Sequence, residues 1–152
     1  MKKINFQVYG EIKSKRTGQF NKKTKAFFAN NDTGVYENLI KMSFLNAYPE
    51  FKDPKKAAEL MFKGPVWLTV GIYFSIPKSK SNKDKLNMLM KFILPTKKPD
   101  LSNTLKAIED ALKELIFIDD SYICRVDIHK VFNEIPYLDI EIVEMEAKPC
   151  QK

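Results

Sequence analysis

The residue types best suited to chemistry gather in one stretch: Asp100, Ser102, Asn103, Lys106 and Asp110, then the pair Asp119-Asp120. Carboxylates are hard oxygen ligands for Mg²⁺, which keeps several waters and binds through one or two carboxylates while phosphate oxygens complete its shell. A metal held in this way polarises a scissile phosphate and makes a water more acidic. A nearby ammonium offsets charge that develops on the phosphate. With Asp100 set to zero on a helical wheel, Leu101, Leu105, Ile108, Leu112 and Leu115 fall between about 60° and 140°. Asn103, Lys106, Asp110 and Lys113 fall between about 220° and 300°. One face is core; the opposite face is a stripe of amide, amine and carboxylate with Asp100 at its N-terminal edge. Asp119-Asp120-Ser121 follows Ile116-Phe117-Ile118 just before a strand. Such a junction can return a second carboxylate to the start of the helix, within metal-bridging distance of Asp100. Each piece also has a plain reading. Asp100 or Ser102 caps a helix after Pro99, Asp119-Asp120-Ser121 is a turn, and Lys106 and Asp110 are a surface pair four residues apart. Spacing alone does not select nuclease chemistry.

These residues need elements to hold them. Ile4, Phe6 and Val8 alternate with polar neighbours, which predicts a half-buried strand. Residues 12–25 are basic around Gly18, with Lys13, Lys15, Arg16, Lys22 and Lys23, and read as a loop or hairpin tip. A helix is expected from Asp32-Thr33-Gly34 to before Pro49, on a wide stripe of Val35, Tyr36, Leu39, Ile40, Met42, Phe44, Leu45 and Tyr48. A short helix is expected over 57–62. The clearest strand runs from Val66 to Ile76 and is apolar on both faces, so it belongs at the centre of a sheet. Residues 77–98 hold Lys78, Lys80, Lys83, Lys85, Lys91, Lys97 and Lys98 against one acid, Asp84, with apolar anchors between them. They read as a mobile basic loop or short helix that folds back on the body. The helix over 101–115 follows, then strands at 122–128 and 138–142, joined through Asn133-Glu134-Ile135-Pro136 as an antiparallel hairpin would be. The expected fold is α/β of the α+β kind: a small mixed sheet of about four strands with two main helices, in the order β-α-β-α-β-β. One domain covers 1–146, and 147–152 is a frayed tail.

The 152 residues carry Lys+Arg 26 against Asp+Glu 19 and are 44% hydrophobic, an ordinary globular balance. The charge is unevenly placed: residues 1–98 hold 20 basic and 7 acidic side chains, residues 99–152 hold 6 and 12. A basic body with an acidic section suits a protein that binds a polyanion and holds metal ions against it; a plain solvated surface is the other reading. No apolar run approaches the ~18 residues of a membrane span. The N-terminus has no signal core, and two cysteines, Cys124 and Cys150, fit a reducing cytoplasm. The five glycines form no phosphate-binding loop, so no nucleotide cofactor is expected. One His and two distant Cys do not make a zinc site. His129 reads as an exposed strand residue, Cys124 as a small buried one, and Trp67 and Tyr73 as core or interface rather than base-stacking residues.

Lys98-Pro99-Asp100-Leu101-Ser102-Asn103, then Lys106, then Asp110-Ala111-Leu112, then Asp119-Asp120-Ser121-Tyr122-Ile123, resemble the RusA family of Holliday junction resolvases of bacteria and phages. That family's pattern is an Asp-x-Asp-Asn start, a Lys one helical turn on, an Asp-Ala-Leu, and an Asp-Asp-x-x-Ile. The close match spans roughly residues 97–126. The resemblance implies a small α/β homodimer that binds four-way DNA junctions and cuts two opposing strands symmetrically with Mg²⁺ or Mn²⁺, by metal-activated water. It implies Asp100, Asp120 and Lys106 as catalytic residues, with Asp100 and Asp120 as metal ligands and Asn103 and Asp110 in support. The second carboxylate of Asp-x-Asp is Ser102 here, a neutral and weaker ligand that acts through a water or leaves the role to Asp119 or Glu109. Lys13, Lys15, Arg16, Lys22, Lys23, Lys78, Lys80, Lys83, Lys85, Lys97 and Lys98 are then candidate phosphate contacts, which position DNA without reading its sequence. A non-cutting branched-DNA binder that kept the fold is the alternative, and a basic interaction module with no DNA role is a third reading.

Overall fold

Alternation decides the first strand. Ile4, Phe6 and Val8 are buried on one side of β1 (Lys3–Tyr9), and their neighbours are exposed. A computed structural model of the chain describes residues 2–12, 19–21, 26–28 and 31–147. Lys13, Lys15, Arg16, Lys22 and Lys23 lie outside the described residues, as do residues 148–152 of the expected tail. Within the basic segment, β2 (Gln19–Asn21) pairs antiparallel with β3 (Ala26–Phe28), so the hairpin alternative holds for the backbone. Helix α1 (Asn31–Ala47) buries Tyr36, Ile40 and Phe44, and its Phe44 ring meets Phe6 at 5.5 Å and Phe51 at 4.9 Å. Val35, Leu39 and Met42 are exposed, so the buried face is narrower than the apolar stripe. Helix α2 (Pro54–Leu60) begins three residues earlier than its apolar residues suggest. Its start is set by capping: the Asp53 carboxylate accepts from the Lys55 and Lys56 amides at 2.9 and 3.4 Å.

Strand β4 (Val66–Ser75) follows, then α3 (Asn82–Leu89), α4 (Leu101–Leu112), β5 (Ile123–Asn133) and β6 (Tyr137–Glu144). The sheet order is β1-β6-β4-β5, with β4 parallel to β5 and antiparallel to β6. This corrects the expected hairpin: β5 and β6 are consecutive and antiparallel, but β4 lies between them. A strand apolar on both faces takes the interior of the sheet, and the short connection has the reach to step over it. Two strand spacings span ~10 Å, and the four Cα steps from Asn133 to Tyr137 reach ~13 Å. The Ile76 amide donates to the Asn133 carbonyl at 3.2 Å, tying that crossing to the end of β4. The whole is an α+β fold with a mixed four-stranded sheet, and α1 and α4 pack together beside it. Among the described residues no helix is long and apolar enough to cross a membrane.

The far face of the sheet is half-exposed and aromatic. Tyr73 stacks on Tyr137 at 4.2 Å, Tyr9 meets Tyr137 at 5.7 Å, and His129, exposed as expected, meets Tyr73 edge-on at 6.2 Å. The Trp67 indole N–H donates to Asp127 at 2.8 Å, under the Arg125 guanidinium at 3.9 Å. Pairing shifts here: Val66 faces Ile123 but Trp67 faces Arg125. The extra residue is Cys124, which is exposed and not buried as expected, because a bulge removes one residue from the alternation.

Candidate active site

Helix α4 is placed by small residues. Thr104, Ala107, Ile108, Ala111 and Leu112 are buried, while Leu101, Leu105 and Leu115 are only partly so. The buried arc is thus turned toward Asp100 relative to the leucine stripe, because Ala107 and Ala111 let the helix approach its neighbours closely. The helix also stops at Leu112 rather than 115. Glu114 has φ +64, and its amide donates to the Phe117 carbonyl at 2.8 Å. Phe117 is fully buried, and the Phe62 amide donates to the Ile116 carbonyl at 2.7 Å. This anchored turn delivers Asp119 and Asp120.

Asp100 occupies the cap position of α4, yet its side chain makes no capping hydrogen bond. The first turn is held instead by Thr104, whose amide and buried hydroxyl donate to the Asp100 carbonyl at 3.2 and 3.0 Å. The exposed Asp100 carboxylate is therefore not committed to capping, and Ser102 and Asn103 are exposed on the same turn. Asp120 returns to α4 at Lys106: Lys106 Nζ lies 3.0 Å from Asp120 Oδ2, 3.4 Å from Asp110 Oδ1 and 3.9 Å from Glu109 Oε2. One ammonium thus faces three carboxylates. The hydrogen bond to Asp120 holds the Lys106 pKa above its ordinary value against some burial, with Asp110 adding to the rise. Burial pushes the Glu109 carboxyl up; Lys106 opposes this, and the charges of Asp120 and Asp110 add to it.

Asp119 is engaged elsewhere. Its Oδ2 meets Lys113 Nζ at 2.6 Å, and its Oδ1 accepts from the Ser121 amide at 3.1 Å, capping a short 3-10 turn over Asp120–Tyr122. Lys113, then the Ser121 amide, hold this carboxyl well below the usual range. Lys113 in this bracing role is a residue sequence reasoning left without a task; the available signal was its place two turns after Lys106 on the same polar stripe. Among the described residues no three His, Cys, Asp or Glu side chains converge into a group that could hold a metal ion by themselves.

The basic segment packs on the sheet beside β5. Ser81 caps α3 through the Asp84 amide at 3.1 Å, and Met88 is buried. Lys97 lies over the Phe74 ring at 5.3 Å, and its carbonyl accepts from Lys130 Nζ at 3.1 Å. Lys78, Lys80, Lys83 and Lys98 are exposed, and Lys85 is half-exposed.

The profile of the family described as Endodeoxyribonuclease RusA matches residues 10–143. The uncharacterized protein YqaN of Bacillus subtilis (strain 168) is 35% identical over 109 residues, 70% of this chain and 77% of that protein. The family match runs from just after the first strand into the last and takes in α4, Lys106 and the Asp119-Asp120 turn between them; the chain belongs to the RusA family of endodeoxyribonucleases.

Proposed function

We propose that the protein is a structure-selective endonuclease of the cytoplasm that resolves four-way DNA junctions. In this reading it acts as a homodimer, makes paired symmetric nicks and uses Mg²⁺, with Mn²⁺ able to replace it. The observation that carries the reading is the Lys106 ammonium set among Asp120, Asp110 and Glu109 on the helix that Asp100 begins, where the Asp100 carboxylate makes no capping bond. Three carboxylates around one ammonium leave negative charge that a cation would relieve. Mg²⁺ asks for only one or two carboxylates when phosphates supply the rest, so a site without three converging acids still suits it. Asp100 and Asp120 would hold the ion, Asp119 is a further candidate, and Ser102 would hold a water. When bound, the ion supplies Lewis acidity to the scissile phosphate. Lys106 stays protonated and offsets charge on the phosphate. Lys113 keeps Asp119 ionised and the turn in place, and Asn103 and Asp110 orient the stripe. A two-fold dimer presents equivalent sites to a symmetric substrate.

The test is cleavage of a labelled four-way junction in Mg²⁺ and in EDTA, with the wild type beside Asp120→Asn and Ser102→Asp. Paired nicks that need Mg²⁺ and fall about a hundredfold or more in Asp120→Asn are expected. Mg²⁺-dependent nicking that survives Asp120→Asn unchanged would overturn the assignment. Ser102, standing where the family has a carboxylate, favours one second reading: a branched-DNA binder without full chemistry. It predicts binding without nicks in the wild type and cutting restored by Ser102→Asp.

A further inference from the structure

An apolar patch stands exposed inside the most basic segment of the chain. Phe92 is 74% exposed, Leu86 57%, Met90 55% and Leu94 54%. These residues do not sit on a loose loop. Met88 is buried beneath them, and Ile93 packs against the core. At the end of α3 the Met90 amide donates to the Leu86 carbonyl at 2.9 Å and the Lys91 amide to the Met88 carbonyl at 3.1 Å. The Phe92 and Ile93 amides both donate to the Asn87 carbonyl, at 2.9 and 3.2 Å. Lys91 turns the chain with φ +65, a conformation that costs a non-glycine residue strain and persists only where its surroundings impose it. The result is a fixed knuckle that presents an aromatic ring outward. Contiguous exposed apolar surface of this kind marks a contact site.

The charge around the knuckle selects the partner. Residues 77–98 carry seven lysines and one acid. Two copies of such a surface repel each other, whereas a polyanion is drawn to it. The same segment runs on through Lys97, Lys98 and Pro99 into Asp100, and Lys97 is held on Phe74 and through Lys130, so the knuckle and the candidate active site share one ordered stretch of chain. Nucleic acid is the polyanion that also offers flat apolar faces. Bases stack on exposed aromatic rings irrespective of sequence, and apolar side chains enter base steps where stacking is weak.

Resting on the junction-binding reading above, we propose that Phe92, flanked by Met90 and Leu94, stacks on a base exposed at the branch point, while the surrounding lysines take the phosphates. Phe92 then separates branched from linear DNA, because a branch interrupts the stack where the interior of a continuous duplex does not.

The experiment uses the full chain in EDTA and a four-way junction carrying 2-aminopurine beside the branch, with a linear duplex of the same length as control. The wild type is expected to bind the junction and raise the 2-aminopurine fluorescence. Phe92→Ala, whose removed side chain is exposed and whose fold is checked by circular dichroism, is expected to lose that rise. It should also lose about fivefold or more of the preference for junction over duplex, and Phe92→Trp is expected to restore both. Junction binding with a fluorescence rise that ignores Phe92→Ala overturns the proposal and leaves the junction reading intact. A wild type that binds no junction overturns both. A sedimentation profile in which Phe92→Ala turns a dimer into a monomer overturns it in favour of a second copy. Loss of binding to phosphatidylserine vesicles with junction binding unchanged overturns it in favour of a membrane surface.

Discussion

Asp119 and Asp120 are neighbours, yet their carboxylates meet different lysines: Asp119 meets Lys113 and Asp120 meets Lys106. The first pair braces a turn, and the second stands in the acidic cluster. The sequence showed the pair but not this division, which depends on how far the turn rotates each residue about the strand entry. Glu109 shows what the cluster costs. Its raised pKa, due first to burial, means that the folded chain holds this proton more tightly than the unfolded chain does. The penalty of its charged form is therefore full above the raised value, fades as pH falls from there toward the ordinary glutamate value of about 4.3, and is gone below it. Glu109→Gln is expected to raise the melting temperature at pH 7 in EDTA, and the gain should vanish below about pH 4. Melting curves across that range measure it; an equal gain at every pH would mean that packing, not charge, is responsible.

At the scale of elements, Phe117 sets the site more than any residue in it. It is fully buried at the end of the turn from α4 and forms an isolated bridge with Phe62. Phe117→Ala is expected to cost about 3–5 kcal/mol in urea unfolding, as a large aromatic deletion in a closed core does. Under native conditions the variant should lose the nuclease activity proposed above although Phe117 is not itself a candidate ligand. Much of this scale was legible. The period of two in β1 and β4, the apolar stripe of α1 and the polar stripe of α4 all follow from spacing. What was not legible depends on partners distant in sequence. Periodicity identifies β5 and β6 as strands but does not say that β4 inserts between them. The exposure of Cys124 follows from a one-residue bulge against Trp67 that no alternation within β5 reveals. The leucine stripe of α4 misplaced its buried centre because alanines, weak in hydrophobicity, mark the closest approach.

For the whole molecule the governing quantity is its uneven charge, basic through residue 98 and acidic beyond. DNA affinity carried by phosphate contacts falls with salt with a log–log slope near −0.9 per contact. Replacing Lys83 and Lys85 by Ala is therefore expected to make the slope shallower by about 1.8 if both meet phosphate. Fluorescence anisotropy titrations at several salt concentrations measure this, and an unchanged slope would remove both residues from the contact surface. The strand order has a consequence in time as well as in space. In the four-stranded sheet β1 pairs only with β6, Lys3 opposite Val143, and the chain between them must be made first. During synthesis the N-terminal strand waits with its edge open until nearly the last residues of the domain emerge. The C-terminal strands, split by β4, offer no local hairpin on which the sheet could nucleate. Non-local closure of this sort slows folding and prolongs exposure to wrong pairing, so the protein's yield in a cell is tied to what shields that waiting strand.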